Sequence, residues 1–193
     1  MLGQIVFLLI HFVFGAFTLL LLARFFMQWQ RVPFRNQLGQ FVLKTTDWVV
    51  RPLRRVVPGL WGLDMASLLP AWLAQVAFVA IELTLRGVPF GGAGGVALGL
   101  AGMGLIELAR MAVYLVFGLV LVSAVLSWVA PHAPAAPLVR HLAEPFLRPF
   151  RRVIPPIAGV DLSPLVLLLL LQILLVVLAG LRGSFVPLVV GGL

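Results

Sequence analysis

The sequence predicts an all-α integral membrane protein with four transmembrane helices in two helical hairpins. Of its 193 residues, 62% are hydrophobic and 10% are charged, whereas a soluble domain is about half apolar and about a quarter charged. The mean hydropathy is +1.15. A chain of this length and composition has more apolar surface than it can bury in water. Four stretches reach the roughly 20 apolar residues that a helix needs to cross a bilayer: 5–27, 65–85, 105–130 and 162–181.

The first apolar stretch is interpreted as a retained span and not as a cleaved signal peptide. No lysine or arginine precedes it, and no small-residue cleavage site follows it. It is also too long for the apolar region of a signal peptide.

A motif of eight residues occurs twice and indicates a tandem duplication. The first copy, R-P-L-R-R-V-V-P, begins at Arg51, and the second, R-P-F-R-R-V-I-P, begins at Arg148. In each copy five residues follow before an aspartate that precedes the next apolar stretch, and the two copies are 97 residues apart throughout. We therefore predict a first repeat over residues 1–86, a Gly-rich linker over 87–104 and a second repeat over 105–193.

The distribution of basic residues predicts the orientation of the spans. Six lysines and arginines lie between the first two spans and four between the last two, whereas the middle connection offers only Arg86. Because cytoplasmic loops carry the excess of Lys and Arg, both basic loops are predicted to be cytoplasmic and both termini extracytoplasmic. The two hairpins would then have the same orientation, as parallel repeats do.

Each cytoplasmic loop is predicted to contain a short amphipathic helix at the membrane interface. Between residues 37 and 51 the polar side chains recur at steps of three and four, with apolar residues on the other side. This is the pattern of an interfacial helix, and Asn36 is a suitable N-cap. Residues 138–148 show a weaker version, which Pro145 and Pro149 are expected to shorten.

The Gly-rich segment 87–104 is apolar but forms helices poorly. One interpretation is a loop followed by an N-terminal extension of the third helix. The other is a re-entrant or closely packed segment, because Gly91, Gly95 and Gly99 have the small-xxx-small spacing that lets helices approach closely.

The two arginine straps, residues 51–58 and 148–155, are the main candidate functional sites. Prolines on both sides of each Arg-Arg pair are expected to hold it in a bent, extended conformation. Guanidinium groups at the membrane surface can bind anionic lipid headgroups or the carboxylates of a partner protein; the alternative is that they only orient the hairpins. The candidate docking residues are Arg51, Arg54, Arg55, Arg148, Arg151 and Arg152.

An aspartate precedes the second span of each repeat, and each is expected to cap the helix that follows. The alternatives for Asp64 and Asp161 are a salt bridge, to Arg55 and Arg152 respectively, or a cation site. Two such aspartates could face each other across the axis that relates the repeats.

Gln75 and Gln172 occupy equivalent positions in the two repeats, each 11 residues after its aspartate. An amide near the middle of a span usually makes a hydrogen bond between helices. A role in lining a polar path is the alternative.

Four ionisable residues near the ends of the second and third spans are predicted to form an ion-pair cluster on the extracytoplasmic side. They are Glu82, Arg86, Glu107 and Arg110. Charged residues within a membrane are costly unless they are paired. Arg24, near the other end of the first span, is expected to extend its side chain to the cytoplasmic surface.

Residue types that enzymes and cofactor sites need are scarce in this chain. It has no cysteine, which excludes disulfides, thiol catalysis and iron–sulfur ligation within it, and its three histidines show no metal-ligand spacing. It has neither a phosphate-binding loop nor a nucleophile motif. We predict no enzyme activity, no metal, no cofactor and no direct contact with nucleic acid.

The motif at the first strap, R-P-L-R-R-V-V-P-x-x-x-G-L-D, resembles the YggT family. It is preceded by F-x-x-K-x-T-D and by Met27-Gln28-Trp29, and the second copy continues through V-D-L-S-P to Pro164. The first copy lacks this final Ser-Pro pair. The resemblance covers the whole chain and implies a small bacterial inner-membrane protein. It also implies a link to cell division, to osmotic stress with ion uptake, or to haem attachment, as described for relatives.

The favoured function is a non-catalytic inner-membrane scaffold or assembly factor, linked to cell division or envelope organisation. Its straps would dock anionic lipids or a membrane protein partner, and homo-oligomers are expected as well. One alternative is an oligomeric cation channel or transporter component acting in osmotic stress. Its path would be lined by Asp64, Asp161, Gln75 and Gln172. A second alternative is an assembly factor for a membrane cytochrome.

Overall fold

The computed structural model describes residues 2–57, 64–130, 132–154 and 161–191, and within them the chain is built from helices and short connections. The helices are α1 Leu2–Trp29, α2 Gln37–Val56, α3 Met65–Leu85, α4 Ala93–Val129, α5 Ala136–Val153, α6 Ser163–Gly183 and α7 Val186–Val190. No strand occurs in these ranges. The predicted all-α fold class is therefore confirmed.

Four of the described helices, α1, α3, α4 and α6, are long and apolar enough to cross a membrane. The bounds of α3 coincide with the predicted second span. In contrast, α4 begins at Ala93 and not near Leu105. The Gly-rich segment from Ala93 onward is thus an N-terminal extension of the third helix, as the first interpretation predicted, and its glycines are also closely packed, as the second predicted.

The helices form two compact units, to both of which α4 and α6 contribute. Unit 1 comprises Met1–Met111 and Leu178–Leu193, and unit 2 comprises Ala112–Val177. In unit 1, α1 packs along α3, and α2 packs against both. Leu21 of α1, Val50 of α2 and Ala71 of α3 meet in one hydrophobic core.

Unit 2 contains all of α5 with the C-terminal part of α4 and most of α6. Each of these helices buries apolar side chains, among them Val120 of α4, Leu147 of α5 and Leu167 of α6. Most other side chains of α6 in this unit are exposed. Such exposure of apolar residues is expected where a helix faces lipid.

Glycines of α4 allow α7 to lie directly against it within unit 1. A Cβ atom added to Gly95 would lie 2.7 Å from the carbonyl oxygen of Leu188, and one added to Gly99 would lie 2.5 Å from Val189 Cγ2. The N–H of Gly91 donates to the carbonyl oxygen of Val189 at 2.9 Å. The small-xxx-small spacing therefore serves close packing between α4 and α7.

Replacing Gly95 by alanine is expected to lower the free energy of unfolding by about 1–3 kcal/mol, because the new methyl group would meet a backbone carbonyl group. Chemical unfolding of the purified protein in detergent micelles measures the loss. Gly94→Ala is the matched control, since a Cβ atom there has nothing within 4 Å and alanine favours the helix. Equal losses in the two variants would contradict the packing role of Gly95.

The described part of each arginine strap is helical, contrary to the prediction of a bent, extended segment. α2 continues through Pro52 to Val56, and α5 continues through Pro145 and Pro149 to Val153. The φ angle of proline, near −65°, is itself compatible with a helix. Each internal proline therefore removes one backbone hydrogen bond without ending the helix, and the expected shortening of α5 was wrong.

The two helices that contain the arginine straps, α2 and α5, here named the strap helices, end at the same point of the motif. Both residues that follow these helices have an extended backbone: φ is −104° and ψ is 104° at Val57, and φ is −105° and ψ is 105° at Ile154. Each precedes a proline, Pro58 or Pro155, and the residue before a proline disfavours the helical conformation. The duplicated motif therefore produces the same helix end twice.

Candidate functional site

In unit 1 an ion pair ties the end of α2 to the start of α3. Arg54 Nη2 lies 2.7 Å from Asp64 Oδ2, and the Ser67 hydroxyl donates to the same oxygen at 2.6 Å. Arg54 also donates to Gln28 Oε1 of α1 at 3.0 Å. This first Arg-Asp joint, formed by Arg54 and Asp64, therefore connects three helices.

Unit 2 contains the equivalent joint between the end of α5 and the start of α6. Arg151 Nε lies 2.8 Å from Asp161 Oδ2, and its Nη1 lies 2.6 Å from Glu144 Oε2. The side chain of Asp161 is 39% exposed, whereas that of Asp64 is 4% exposed. The second Arg-Asp joint, formed by Arg151 and Asp161, thus has the same pairing in a more open setting.

The contacts of the second joint keep its carboxylate ionised. Partial burial raises the pKa of Asp161, but hydrogen bonds from Ser163 and Arg151, together with the charge of Arg151, outweigh it and lower the pKa. A carboxyl group with a lowered pKa stabilises the fold above its ordinary pKa, and this contribution is lost as the pH falls through the lowered value. The joint is therefore intact at neutral pH.

The geometry of the joints corrects the proposed salt-bridge partners. Asp64 and Asp161 pair with the first arginine of each Arg-Arg pair and not with Arg55 or Arg152. Consecutive side chains on a helix point about 100° apart, so only one arginine of a pair can face the next helix. Asp64 makes no side-chain cap of α3, whereas Asp161 Oδ1 accepts a hydrogen bond from the Ser163 N–H at the start of α6 at 2.9 Å.

The four strap arginines outside the joints are exposed. Arg55, Arg148 and Arg152, here named the free arginines, make no ion pair within the described ranges. Arg51 has an 80% exposed side chain and lies 3.3 Å from Asp47. An exposed guanidinium group keeps its planar set of donors available for an external carboxylate or phosphate.

The sequence predicted that the side chain of Arg24 extends to the cytoplasmic surface. This prediction was wrong, because Arg24 is buried within unit 1. Its Nη1 lies 2.7 Å from Asp47 Oδ1 and donates to Thr46 Oγ1 at 2.8 Å. These contacts link α1 to α2. Sequence analysis missed Asp47 as a site residue, although an acidic residue in an otherwise basic loop was the available signal.

The two equivalent glutamines have different surroundings. Gln75 of α3 is buried, and its Nε2 donates to Thr18 Oγ1 of α1 at 2.8 Å. Gln172 of α6 is exposed and makes no hydrogen bond within the part of the chain that the structure describes. The duplicated amide thus joins two helices in unit 1 but not in unit 2.

A cluster of charged side chains around two buried glutamates joins α3, α4 and α6 in unit 1. Arg86 Nη2 lies 2.7 Å from Glu82 Oε1, and Arg110 Nη1 lies 2.8 Å from Glu107 Oε1. Arg182 pairs with both glutamates, and its Nε lies 3.0 Å from Glu107 Oε1. We name these five residues the Glu-Arg cluster.

Arg182 is the member of the cluster that sequence analysis missed. Its position within the last apolar helix was the available signal, since a charge there requires a partner. Glu82 and Glu107 are 4% exposed, so their charges depend on the arginines beside them. Three arginines face two glutamates, which leaves the cluster with one excess positive charge.

The described residues include no group of three or more His, Asp or Glu side chains that could hold a metal ion. Asp64 and Asp161 are each neutralised by an arginine. This pairing makes both aspartates poor ligands for a cation.

The arginine straps and the apolar helices around them match a known family. The family model described as CCB3/YggT matches residues 3–84 and again residues 102–182. The chain belongs to the CCB3/YggT family. Each match includes one arginine strap, in agreement with the duplication inferred from the 97-residue spacing.

Relatives in several bacteria are similar to this YggT-family chain over most of its length. YggT of Escherichia coli K12 is 36% identical over 167 residues, which cover 86% of this chain and 85% of the relative. The protein PA0392 of Pseudomonas aeruginosa is 38% identical over 160 residues, covering 82% and 80%. A Vibrio alginolyticus protein from the proC 3′ region is 35% identical, covering 85% and 88%. All three are named as uncharacterised, and no solved structure matches the chain.

Proposed function

We propose that this YggT-family protein is a non-catalytic scaffold or assembly factor of the bacterial inner membrane. Its free arginines would dock anionic groups at the cytoplasmic surface. The main support for this proposal is that the two residues of each Arg-Arg pair have different contacts. Arg54 and Arg151 each hold a joint, whereas Arg55 and Arg152 have no ion-pair partner among the described residues.

Each joint supports this role because it fixes the position of the neighbouring free arginine. The start of α3 or α6 holds the end of the preceding strap helix. A guanidinium group on a fixed helix end loses less conformational entropy on binding than one on a mobile loop. Each basic residue near an anionic membrane surface contributes about 1 kcal/mol to attraction.

A cavity of about 150 Å³ beside the second joint favours an anionic lipid as one ligand. Arg140, Arg151 and Asp161 contribute to its polar side, and Leu165 and Leu168 to its apolar side. Arg140 makes no ion pair within the described residues. A phosphate group could bind this guanidinium while an acyl chain lies along the leucines.

Replacing the free arginines by glutamine is expected to reduce the phosphatidylglycerol retained by the purified protein at least about tenfold. The variant is R55Q/R148Q/R152Q, and native mass spectrometry measures the retained lipid. Proteins recovered after crosslinking in native membranes should decrease in parallel. A division or envelope protein among them would place the scaffold in that process.

A matched control removes the same charge from elsewhere in the first basic loop. Arg31, Arg35 and Lys44 are exposed, and R31Q/R35Q/K44Q is expected to change lipid retention less than about threefold. Membrane insertion should be normal in both variants. Equal losses in the two variants, or full retention of lipid and partners by the first, would reject the docking role.

The contacts give the cation-channel alternative no support. Three of its four candidate lining residues, Asp64, Gln75 and Asp161, are engaged inside their own units. The cytochrome-assembly alternative is likewise not favoured by any contact among the described residues.

A further inference from the structure

We infer that the face of α6 that carries Gln172 binds a second copy of this chain within the membrane. This inference concerns a surface that contains none of the free arginines, and it does not depend on the proposed docking function.

The two repeats share a glutamine, Gln75 or Gln172, but only the first repeat has a hydrogen-bonding partner for it among the described residues. In the first repeat the Gln75 amide donates to Thr18 at 2.8 Å and is buried. Gln172 lies 97 positions after Gln75, and the residues 97 to 99 positions after Thr18 are Leu115, Val116 and Phe117. None of these side chains can accept a hydrogen bond, so the described part of the second repeat has no equivalent of this contact.

The exposed amide lies where water cannot satisfy it. Gln172 is the tenth of the 21 residues of α6, one of the apolar helices long enough to cross a membrane, so it lies near the middle of that span. A polar group in hydrocarbon without a hydrogen bond is costly. Because no described residue of the chain makes a hydrogen bond with Gln172, we look for its partner in another molecule.

A second copy of the chain provides a suitable partner. A glutamine amide contains both donors and an acceptor, so two Gln172 side chains can bond reciprocally across a twofold axis. Leu169 and Val176, at positions i−3 and i+4, flank it and are 62% and 73% exposed. A single amide among apolar residues at this spacing fixes the register of paired helices.

Single-cysteine crosslinking tests this interface in native membranes, because the chain has no cysteine of its own. L169C and V176C are expected to form disulfide-linked dimers on mild oxidation. L174C is the control, since Leu174 is also exposed but points to the opposite side of the helix from Val176. We expect its dimer yield to be several-fold lower.

The role of the amide is tested by adding Gln172→Leu to V176C. The dimer yield should fall about three- to tenfold, while the amount of inserted protein stays unchanged because leucine is the more apolar residue. Equal yields for V176C and L174C would overturn the interface. So would an absence of dimers at all three positions, or adducts with a different protein.

Two further results complete the test. If Q172L leaves the V176C dimer yield unchanged, the amide does not hold the interface and the inference is wrong. The triple variant of the free arginines should crosslink normally through V176C. Failure of the docking function and failure of the α6 interface are thereby distinguishable.

Discussion

Replacing Arg182 by methionine is expected to lower the free energy of unfolding by about 3 kcal/mol. Arg182 pairs with both Glu82 and Glu107, which are buried. Its loss would leave two buried carboxylates with one cation fewer, and removing one partner of a buried ion pair costs about 3–5 kcal/mol. Chemical unfolding of the purified protein in detergent micelles measures this change.

Arg86→Met is the matched control within the Glu-Arg cluster. The Arg86 side chain is 61% exposed and contacts only Glu82 among the acidic residues described, so a loss below about 1 kcal/mol is expected. Adding E82Q and E107Q to R182M should recover much of the lost stability, because the uncompensated charges are then removed. A loss for R86M equal to that for R182M, or no recovery in the triple variant, would contradict this account.

Replacing Asp47 by asparagine is expected to cost a similar amount, about 3 kcal/mol. The guanidinium group of Arg24 is buried and lies 2.7 Å from Asp47 Oδ1. After the substitution the charge of Arg24 would have only neutral partners, such as the Thr46 hydroxyl. The same unfolding measurement gives the loss.

The second repeat provides the control for Asp47. Glu144 occupies the position 97 residues later, and its ion pair with Arg151 joins two side chains that are 44% and 38% exposed. Arg151 would keep Asp161 as a partner, so Glu144→Gln should cost less than about 1 kcal/mol. Similar losses at positions 47 and 144 would show that burial does not determine the contribution of these pairs.

The regular part of the fold follows from local properties of the chain. Residues 65–85 are predominantly apolar, and α3 has those bounds. The helical extension at 93–104 was only one of two interpretations, because glycine destabilises a helix. The close contact that a glycine allows with another part of the chain explains its presence there. That contact is provided by α7, which is distant in sequence.

The helical conformation of the straps could not be predicted from the sequence either, because it too depends on contacts with other parts of the chain. Pro52 and Pro149 were expected to interrupt regular structure, yet α2 and α5 continue through them. A proline in a helix removes a hydrogen bond, and packing elsewhere on the helix decides whether the helix continues. Val50 and Leu147, one in each strap helix, are buried and provide such packing.

The sequence by itself determined the membrane class, the four spans, the duplication and the residues that the two repeats share. These properties depend on composition and on periodicity over short distances. Only the tertiary structure decided which charges pair, because Glu82 and Arg182 are 100 residues apart and no local pattern relates them. It also separated Arg54 from Arg55, because only Arg54 pairs with Asp64 at the start of α3, and Gln75 from Gln172, because only Gln75 is buried beside a hydrogen-bonding partner.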